Sequence, residues 1–142
     1  MTTVLVVDDA ADIRLLQRAV LGRSGYVVEE AASGPAALAA LAKDPIPDIV
    51  VLDIQMPVMD GWDTLAAIRA DPRLVDLPVI LCTVKSRPED TERAWRAGCD
   101  GYLGKPFSIT NLVEEVETAL ARSPEQRAAV RRTWLSAPSI GG

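Results

Sequence analysis

Five side chains able to do chemistry follow short apolar runs of this 142-residue chain, at the positions where buried strands would end. Asp8 and Asp9 come after the first run, and Asp53 comes after the third. Thr83 follows the fourth run and Lys105 follows the fifth. If the runs are parallel strands, their carboxyl ends share one edge of the sheet, which is where open α/β sheets bind ligands.

These residue types in one place favour phosphoryl chemistry. Three carboxylates at one edge repel one another unless a cation lies among them. Oxygen ligands without histidine or cysteine suit Mg²⁺, which keeps part of its water shell. A lysine and a hydroxyl near such a metal can bind the oxygens of a phosphoryl group. A carboxylate beside the metal can itself be the nucleophile and form an aspartyl phosphate, so we expect Mg²⁺ as the cofactor.

The composition excludes several other chemistries. The sequence contains no histidine, which removes imidazole acid–base catalysis, nucleophile pairs with histidine and the common zinc sites. A formal net charge of -5 disfavours direct binding of nucleic acid. The two cysteines, Cys82 and Cys99, have no regular spacing and indicate a reducing, cytoplasmic setting. We expect neither a signal peptide nor a membrane span, because no suitably long apolar segment is present.

Helical patterns separate the apolar runs. We predict strands at Val4–Val7, Val27–Val28, Ile49–Leu52, Val79–Cys82 and Gly101–Leu103, because these runs carry few charges, as strands buried on both faces do. Five repeats of strand and helix predict a doubly wound α/β domain with a parallel sheet and helices on both faces. The apolar residues that recur at helical spacing are Ile13, Leu16, Val20 and Leu21; Ala37, Leu38 and Leu41; Leu65 and Ile68; and Leu112, Val116 and Leu120.

The last 20 residues differ from the body of the chain. Residues 123–142 contain three arginines and a single acidic residue, and they begin with a serine–proline pair that can start a helix. We predict a short helix over about residues 124–135 and treat residues 1–122 as the domain. Trp134 is expected to anchor this helix against the domain.

Four motifs together resemble the receiver domain of two-component response regulators, over about residues 3–122. They are VLVVDDA after the first strand, PDIVVLDIQMPVMDGW around Asp53, Thr83 after VILC, and GCDGYLGKPF near the fifth strand. The order and spacing of the four motifs agree jointly with the family. The resemblance implies a five-stranded sheet with the flavodoxin-like order 2-1-3-4-5. It also implies a phosphorylation-controlled switch, similar to single-domain chemotaxis regulators, that signals through protein contacts and is not an enzyme.

The resemblance implies a role for each matching residue of the acidic edge. Asp53 would accept the phosphoryl group from a histidine kinase or a phosphotransfer protein. Asp9, Asp53 and the backbone carbonyl of Gln55 would bind Mg²⁺ directly, and Asp8 would act through a metal-bound water. Lys105 would pair with the phosphoryl oxygens.

Further roles concern the change of state. Thr83 would bind the phosphoryl group and draw its loop inward, and Tyr102 would change its rotamer as that loop moves. Pro106 would follow a cis peptide bond that places Lys105, since X–Pro bonds are the common site of cis peptides. The residues expected to tune access to the pocket and the lifetime of the phosphoryl group are Gln55, Val84 and Lys85.

The helix before the fifth strand offers a candidate partner surface. Thr91, Trp95 and Cys99 fall at i, i+4 and i+8, beside Tyr102. Large exposed aromatic residues are enriched at binding hot spots. We therefore expect Trp95 to point away from the sheet and to contact a downstream protein or a second copy of the chain. The alternative is that neighbouring residues or the tail helix cover Trp95.

Three other functions are open at this stage. The chain could be a receiver fragment of a longer transcription factor or hybrid kinase. An aspartyl-phosphate phosphatase needs an acid two residues after its nucleophile, but that position is Gln55. A flavin-binding module needs a hydroxyl- and glycine-rich loop after the first strand, whereas this chain has the acidic segment 8–12, which repels phosphate.

Overall fold

The computed structural model describes residues 1–83, 88–105 and 108–136, in which five strands alternate with helices and a sixth helix follows. The strands are β1 (Thr3–Val7), β2 (Val27–Ala31), β3 (Ile49–Asp53), β4 (Val79–Thr83) and β5 (Gly101–Gly104). The helices are α1 (Ala11–Arg23), α2 (Gly34–Leu41), α3 (Gly61–Ala70), α4 (Pro88–Arg96), α5 (Ile109–Ala121) and α6 (Pro124–Ser136).

All five strands are parallel and lie in the order β2-β1-β3-β4-β5. The register pairs Asp53 with Cys82 and Thr83 with Gly104, so the strand ends that carry the chemistry are level with one another. This sheet confirms the predicted fold class and the strand order 2-1-3-4-5. The edge at which the strands end is therefore shared by β1, β3, β4 and β5.

Two hydrophobic clusters cover the two faces of the sheet. Successive strand residues point to opposite faces, so Val4 and Val6 join the cluster beneath α1 and α5, while Leu5 and Val7 join the one beneath α2, α3 and α4. Both clusters consist largely of aliphatic side chains, and helices lie on both faces as expected. Burial on both sides explains why the central strands appear in the sequence as uninterrupted apolar runs.

One residue of the predicted buried face of helix α1 is exposed. Leu21 is buried as predicted and Ile13 and Val20 are half-buried, but Leu16 is 52% exposed and Gln17 is buried in its place. Adjacent helical residues differ in direction by about 100°, so turning Gln17 inward leaves Leu16 in solvent. The Oε1 atom of Gln17 is buried and accepts no hydrogen bond from the described residues.

Helix α6 packs against α4 and covers part of the surface that the sequence analysis proposed for a partner. The Trp134 ring stacks on the Trp95 ring with centroids 5.3 Å apart and an interplanar angle of 9°. Trp95 is only 6% exposed and Cys99 is fully buried, so the expectation of an exposed stripe through Thr91, Trp95 and Cys99 is wrong. The alternative interpretation is correct, because the tail helix covers Trp95. None of the helices in the described part of the chain has the length and apolar character needed to cross a membrane.

Candidate functional site

The carboxyl edge of the sheet brings the predicted acidic residues together. Asp8 follows β1 and Asp53 is the last residue of β3. One carboxylate oxygen each from Asp8, Asp9 and Asp53 lies within 4.8 Å of the others. Thr83 ends the neighbouring strand β4, and Lys105 directly follows β5. Four adjacent strands thus place the five side chains named from the sequence along one edge.

Lys105 is joined to both sides of the acidic cluster. Its Nζ lies 2.9 Å from Asp8 Oδ2 and 3.2 Å from Asp53 Oδ1. Its backbone N–H donates to the carbonyl oxygen of Thr83 at 2.6 Å, which ties the end of β5 to the end of β4. One ammonium group opposes three carboxylates, so the cluster has an excess of two negative charges. A divalent cation matches that excess.

The buried oxygen of Asp53 is the most informative atom in the site. Asp8 and Asp53 are only 2% and 4% exposed, whereas Asp9 is exposed. Asp53 Oδ1 is buried and lies 3.2 Å from the ammonium group of Lys105, in ion-pair range. The three carboxylates of the cluster fit a hard, oxygen-binding cation such as Mg²⁺.

Burial and neighbouring charges shift the pKa values of two groups in the site. Burial raises the pKa of Asp53 and the charge of Asp8 adds to this, while Lys105 and a backbone hydrogen bond from Gln55 oppose it. Burial alone would lower the pKa of Lys105. The hydrogen bond to Asp8 and the charges of Asp53 and Asp8 outweigh that effect and raise it. Lys105 is therefore a cation at neutral pH, and a divalent ion would favour the ionised, nucleophilic form of Asp53.

Gly61 and the capping residue Asp60 position the turn after Asp53. A Cβ atom on Gly61 would lie 2.5 Å from the carbonyl oxygen of Asp53 and 2.6 Å from Cα of Ile54, so only glycine fits there. The Gly61 N–H donates to the carbonyl oxygen of Ile54 at 2.8 Å. The Asp60 side chain caps α3 by accepting from the N–H of Asp63 at 3.0 Å. The start of α3 is thereby packed directly against the end of β3.

Arg14 is a positioning residue that the sequence analysis did not identify. Its Nη1 donates to the carbonyl oxygen of Asp8 at 2.7 Å, and its Nε pairs with Glu30 Oε1 at 3.2 Å. The N–H of Ala10 donates to Asp8 Oδ1 at 2.9 Å and fixes the acidic turn from the other side. The signal in the sequence is a basic residue in the first turn of the helix that follows an acidic pair.

Some of the remaining predicted residues line one of two grooves, and the others are not among the residues that the structure describes. Gln55 and Thr83 line a groove beside the acidic cluster, where the Arg93 guanidinium lies 4.2 Å from the Trp62 ring centroid. Tyr102 lies apart from the cluster, half-buried in a groove between α4 and α6. The predictions for Val84, Lys85 and the Lys105–Pro106 peptide bond concern residues 84–87 and 106–107, outside the described residues.

The doubly wound sheet of order 2-1-3-4-5, with an acidic cluster at its carboxyl edge, defines the receiver class of α/β proteins. The chain belongs to the response regulator receiver domain family, whose family model matches residues 4–117. This match confirms the resemblance to receiver domains that the four sequence motifs indicated. Receiver domains are signalling switches of two-component systems that act with histidine kinases and downstream targets, and they typically bind Mg²⁺ at an acidic pocket.

Relatives and solved structures agree with this family. The chain is 40% identical over 119 residues to the transcriptional regulatory protein PrrA of Mycobacterium tuberculosis, covering 84% of this chain and 50% of that protein. It is 37% identical over 123 residues to the transcriptional regulatory protein KdpE of the same species, covering 87% and 53%. The chain thus spans about half the length of the curated relatives it matches.

Two solved structures show the same fold. The chemotaxis response regulator CheY4 of Vibrio cholerae superimposes with a TM-score of 0.79 at 34% identity, over 84% of this chain and 98% of that chain. The receiver domain of the Francisella response regulator 1452 gives a TM-score of 0.79 at 30% identity, over 86% and 98%. Helix α6 begins after the residues matched by the family model.

Proposed function

We propose that the protein is a phosphorylation-controlled switch that accepts a phosphoryl group on Asp53 from a histidine kinase or a phosphotransfer protein. The observation that carries this proposal is the buried Asp53 carboxylate, whose Oδ1 lies 3.2 Å from Lys105 Nζ, within the cluster of Asp8 and Asp9. The sequence contains no histidine, so the phosphohistidine that donates the group lies outside these 142 residues. The two free cysteines are buried and unpaired with each other, which fits a reducing compartment such as the cytoplasm.

In the proposed transfer, a carboxylate oxygen of Asp53 attacks the phosphorus atom of phosphohistidine. The P–N bond breaks, and the partner's imidazole leaves with the electron pair and takes up a proton. Lys105 would pair with the negative phosphoryl oxygens, and the hydroxyl of Thr83, the last residue of β4, would donate a hydrogen bond to them. The chain promotes only its own phosphorylation and dephosphorylation and turns over no separate substrate.

Asp9, Asp53 and the backbone carbonyl of Gln55 would bind Mg²⁺ directly, with Asp8 acting through water. When bound, Mg²⁺ supplies positive charge that offsets repulsion between the carboxylates and the incoming phosphoryl group. The excess of negative charge around Lys105 supports this assignment. The signal is then passed on by contacts with a downstream protein.

A second candidate is the receiver part of a longer transcriptional regulator. The observation that favours it is the coverage of PrrA and KdpE, of which the matched regions make up only 50% and 53%. The phosphoryl chemistry at Asp53 is the same in both candidates. They differ in what receives the signal: a separate protein in the first, and a further domain of the same chain in the second.

The test is uptake of acid-labile phosphate from acetyl phosphate or a phosphorylated histidine kinase. Wild type should gain the mass of one phosphoryl group with Mg²⁺ and none after chelation of the metal. Asp53→Asn keeps the shape but removes the nucleophile, and it should gain none. Asp12→Asn changes an exposed carboxylate three residues after Asp9 and serves as the matched control, with uptake like that of wild type. Uptake by Asp53→Asn at the wild-type level would overturn the proposal.

A further inference from the structure

Helix α6 presents two arginines and a tryptophan on one face. Arg127, Arg131 and Trp134 lie at i, i+4 and i+7, and this spacing places them along a single stripe of the helix. The stripe faces a groove formed by Trp95 of α4, Asp100 immediately before β5, and Tyr102 within β5. We call these three residues of the domain the docking groove.

The buried carboxylate of Asp100 is the polar centre of the docking groove. Its side chain is only 1% exposed. Oδ2 accepts from Nη2 of Arg69 at 2.9 Å and from the N–H of Val79 at 3.0 Å. Oδ1 accepts from Nη1 of Arg131, and Nε of Arg127 lies 3.5 Å away. Two of its three cationic partners therefore come from α6, so the tail helix completes a charge network inside the domain.

Arg127 connects α6 to two further segments. Its Nη1 donates to the carbonyl oxygen of Arg122 and its Nη2 to that of Asp76, both at 2.7 Å. Arg127 is only 7% exposed, which is unusual for a charged residue and requires such partners. The stack of Trp134 on Trp95 adds an aromatic contact at the other end of the helix. Specific polar and aromatic contacts thus fix α6 in one position.

Both walls of the docking groove are continuous with the candidate phosphoryl site. Helix α4, which carries Trp95, begins five positions after Thr83. Strand β5, which carries Tyr102, is followed directly by Lys105. The side chains of Thr91 on α4 and Tyr102 on β5 share a hydrogen bond and so connect the two walls. A change at the ends of β4 and β5 therefore reaches the groove through two short covalent paths.

We propose that α6 is a displaceable ligand of the docking groove and that phosphorylation of Asp53 weakens its binding there. The inference rests on the proposed function. Release of α6 would open the groove to a partner helix with the same chemistry, two arginines at i and i+4 and an aromatic residue at i+7. The arginines would pair with Asp100 and the aromatic ring would stack on Trp95.

The direction of the effect follows from the geometry with an unmodified Asp53. The groove then matches α6 closely, with a near-parallel ring stack and with ion pairs from Arg127 and Arg131 to the buried Asp100. A phosphoryl group on Asp53 attracts both Lys105 and Thr83, which displaces the walls relative to each other. Contacts with strict geometry lose strength on such a displacement. Because coupling between two sites is reciprocal, loosening α6 must favour the phosphorylated state by the same factor.

Amide hydrogen exchange of the full chain, with Mg²⁺ alone and with Mg²⁺ plus beryllium fluoride as a phosphoryl mimic, tests the proposal. Fluorine NMR of the same samples reports whether the mimic is bound. We expect exchange in α6 to become at least about fivefold faster when the mimic binds, the lower end of typical allosteric coupling. Asp53→Asn should show neither bound fluoride nor the change in α6.

The outcomes separate the two proposals. Bound mimic with unchanged exchange in α6 would overturn this inference and leave the proposed function intact. Failure of wild type to bind the mimic in the presence of Mg²⁺ would overturn the proposed function and this inference with it.

A pair of α6 variants measures the same coupling from the other end. Trp134→Ala removes the ring stack, so α6 should exchange faster. The affinity for beryllium fluoride should rise, by no more than the factor by which the mimic weakens docking of α6 in the wild type. Leu135→Ala is the matched control, because Leu135 is the next residue on the helix and is 46% exposed. It should leave both quantities unchanged. Loss of all exchange protection in α6 of Trp134→Ala, with unaltered affinity for the mimic, would show that α6 and Asp53 are independent.

Discussion

At the scale of single residues, the backbone around Asp53 allows very little change. Gly61→Ala would place a Cβ against the carbonyl of Asp53 and Cα of Ile54, neither of which can move without shifting β3. We expect it to lower the free energy of unfolding by about 3 kcal/mol, the upper end of overpacking costs. Urea unfolding measures the loss.

Gly22→Ala provides the contrast, because the exposed Gly22 in α1 has nothing within 4 Å of its would-be Cβ. That variant should gain about 0.5 kcal/mol from helix propensity. If the two glycine variants change stability alike, the close approach at Gly61 does not govern the turn.

Val58 carries backbone strain two residues before Asp60. Its φ is 70°, and the Met59 N–H donates to the carbonyl of Pro57 at 2.8 Å, which closes a tight three-residue turn around it. A branched side chain is unfavourable at positive φ, and this side chain is fully exposed, so it gains nothing from packing. Val58→Gly should raise the free energy of unfolding by about 1 kcal/mol, because relief of strain exceeds the entropic cost of glycine.

Val75→Gly is the matched control for that prediction. Val75 is also exposed, at 47%, but is not among the described residues with positive φ. Glycine there should only destabilise, since it increases the freedom of the unfolded chain. Thermal unfolding of both variants should therefore show changes of opposite sign, and a loss of stability in Val58→Gly would argue against strain at this turn.

At the scale of elements, the Asp100 network joins α3, β4 and α6. Asp100→Asn would leave the three surrounding guanidinium groups without their counter-charge in a buried place. Removing one partner of a buried ion pair costs about 3 kcal/mol, and we expect that loss in urea unfolding. Asp44→Asn breaks an exposed pair with Arg73, in which Asp44 is 89% exposed, and should leave stability unchanged within error. Equal stability of the two variants would mean that the Asp100 network is not stabilising.

At the scale of the whole molecule, the reactivity of the two buried cysteines measures how often the helices separate from the sheet. Burial raises the pKa of the Cys82 thiol to about 12 and also raises that of Cys99, where the charge of Asp100 adds to the effect. Thiolate is the reactive form, so at pH 8 labelling by a thiol reagent should be at least about a thousandfold slower than for an exposed cysteine. Reaction requires opening of the sheet and helix layers.

Val75→Cys supplies an exposed thiol in the same chain for comparison, and urea should make all cysteines react alike. Both native cysteines should stay unreacted while the added one is labelled. Fast labelling of Cys99 in the folded protein would show that α4 and α6 open readily, and fast labelling of Cys82 would show the same for the opposite face.

The sequence by itself was sufficient to predict the sheet and the location of the site. Strands β1, β3 and β4 are buried on both faces and are apolar, so their sequences alone predicted them. The edge strand β2 is largely exposed and continues to Ala31, so only its first two residues, Val27 and Val28, were predicted. Polar residues at the ends of parallel strands must share an edge, so Asp53 and Lys105 could be placed together. The strand order came from the receiver motifs, whose joint match the family model confirms.

Only the tertiary structure decided which element covers each helix face. Periodicity shows which residues share a side of a helix, but not what packs on that side. For this reason the sequence placed Leu16 inside and Trp95 outside, and the structure reverses both. The network around Asp100 was equally hidden, because its partners Arg69 and Arg131 lie 31 residues away on either side. Such long-range contacts depend on how helices dock, and local sequence patterns carry no record of that.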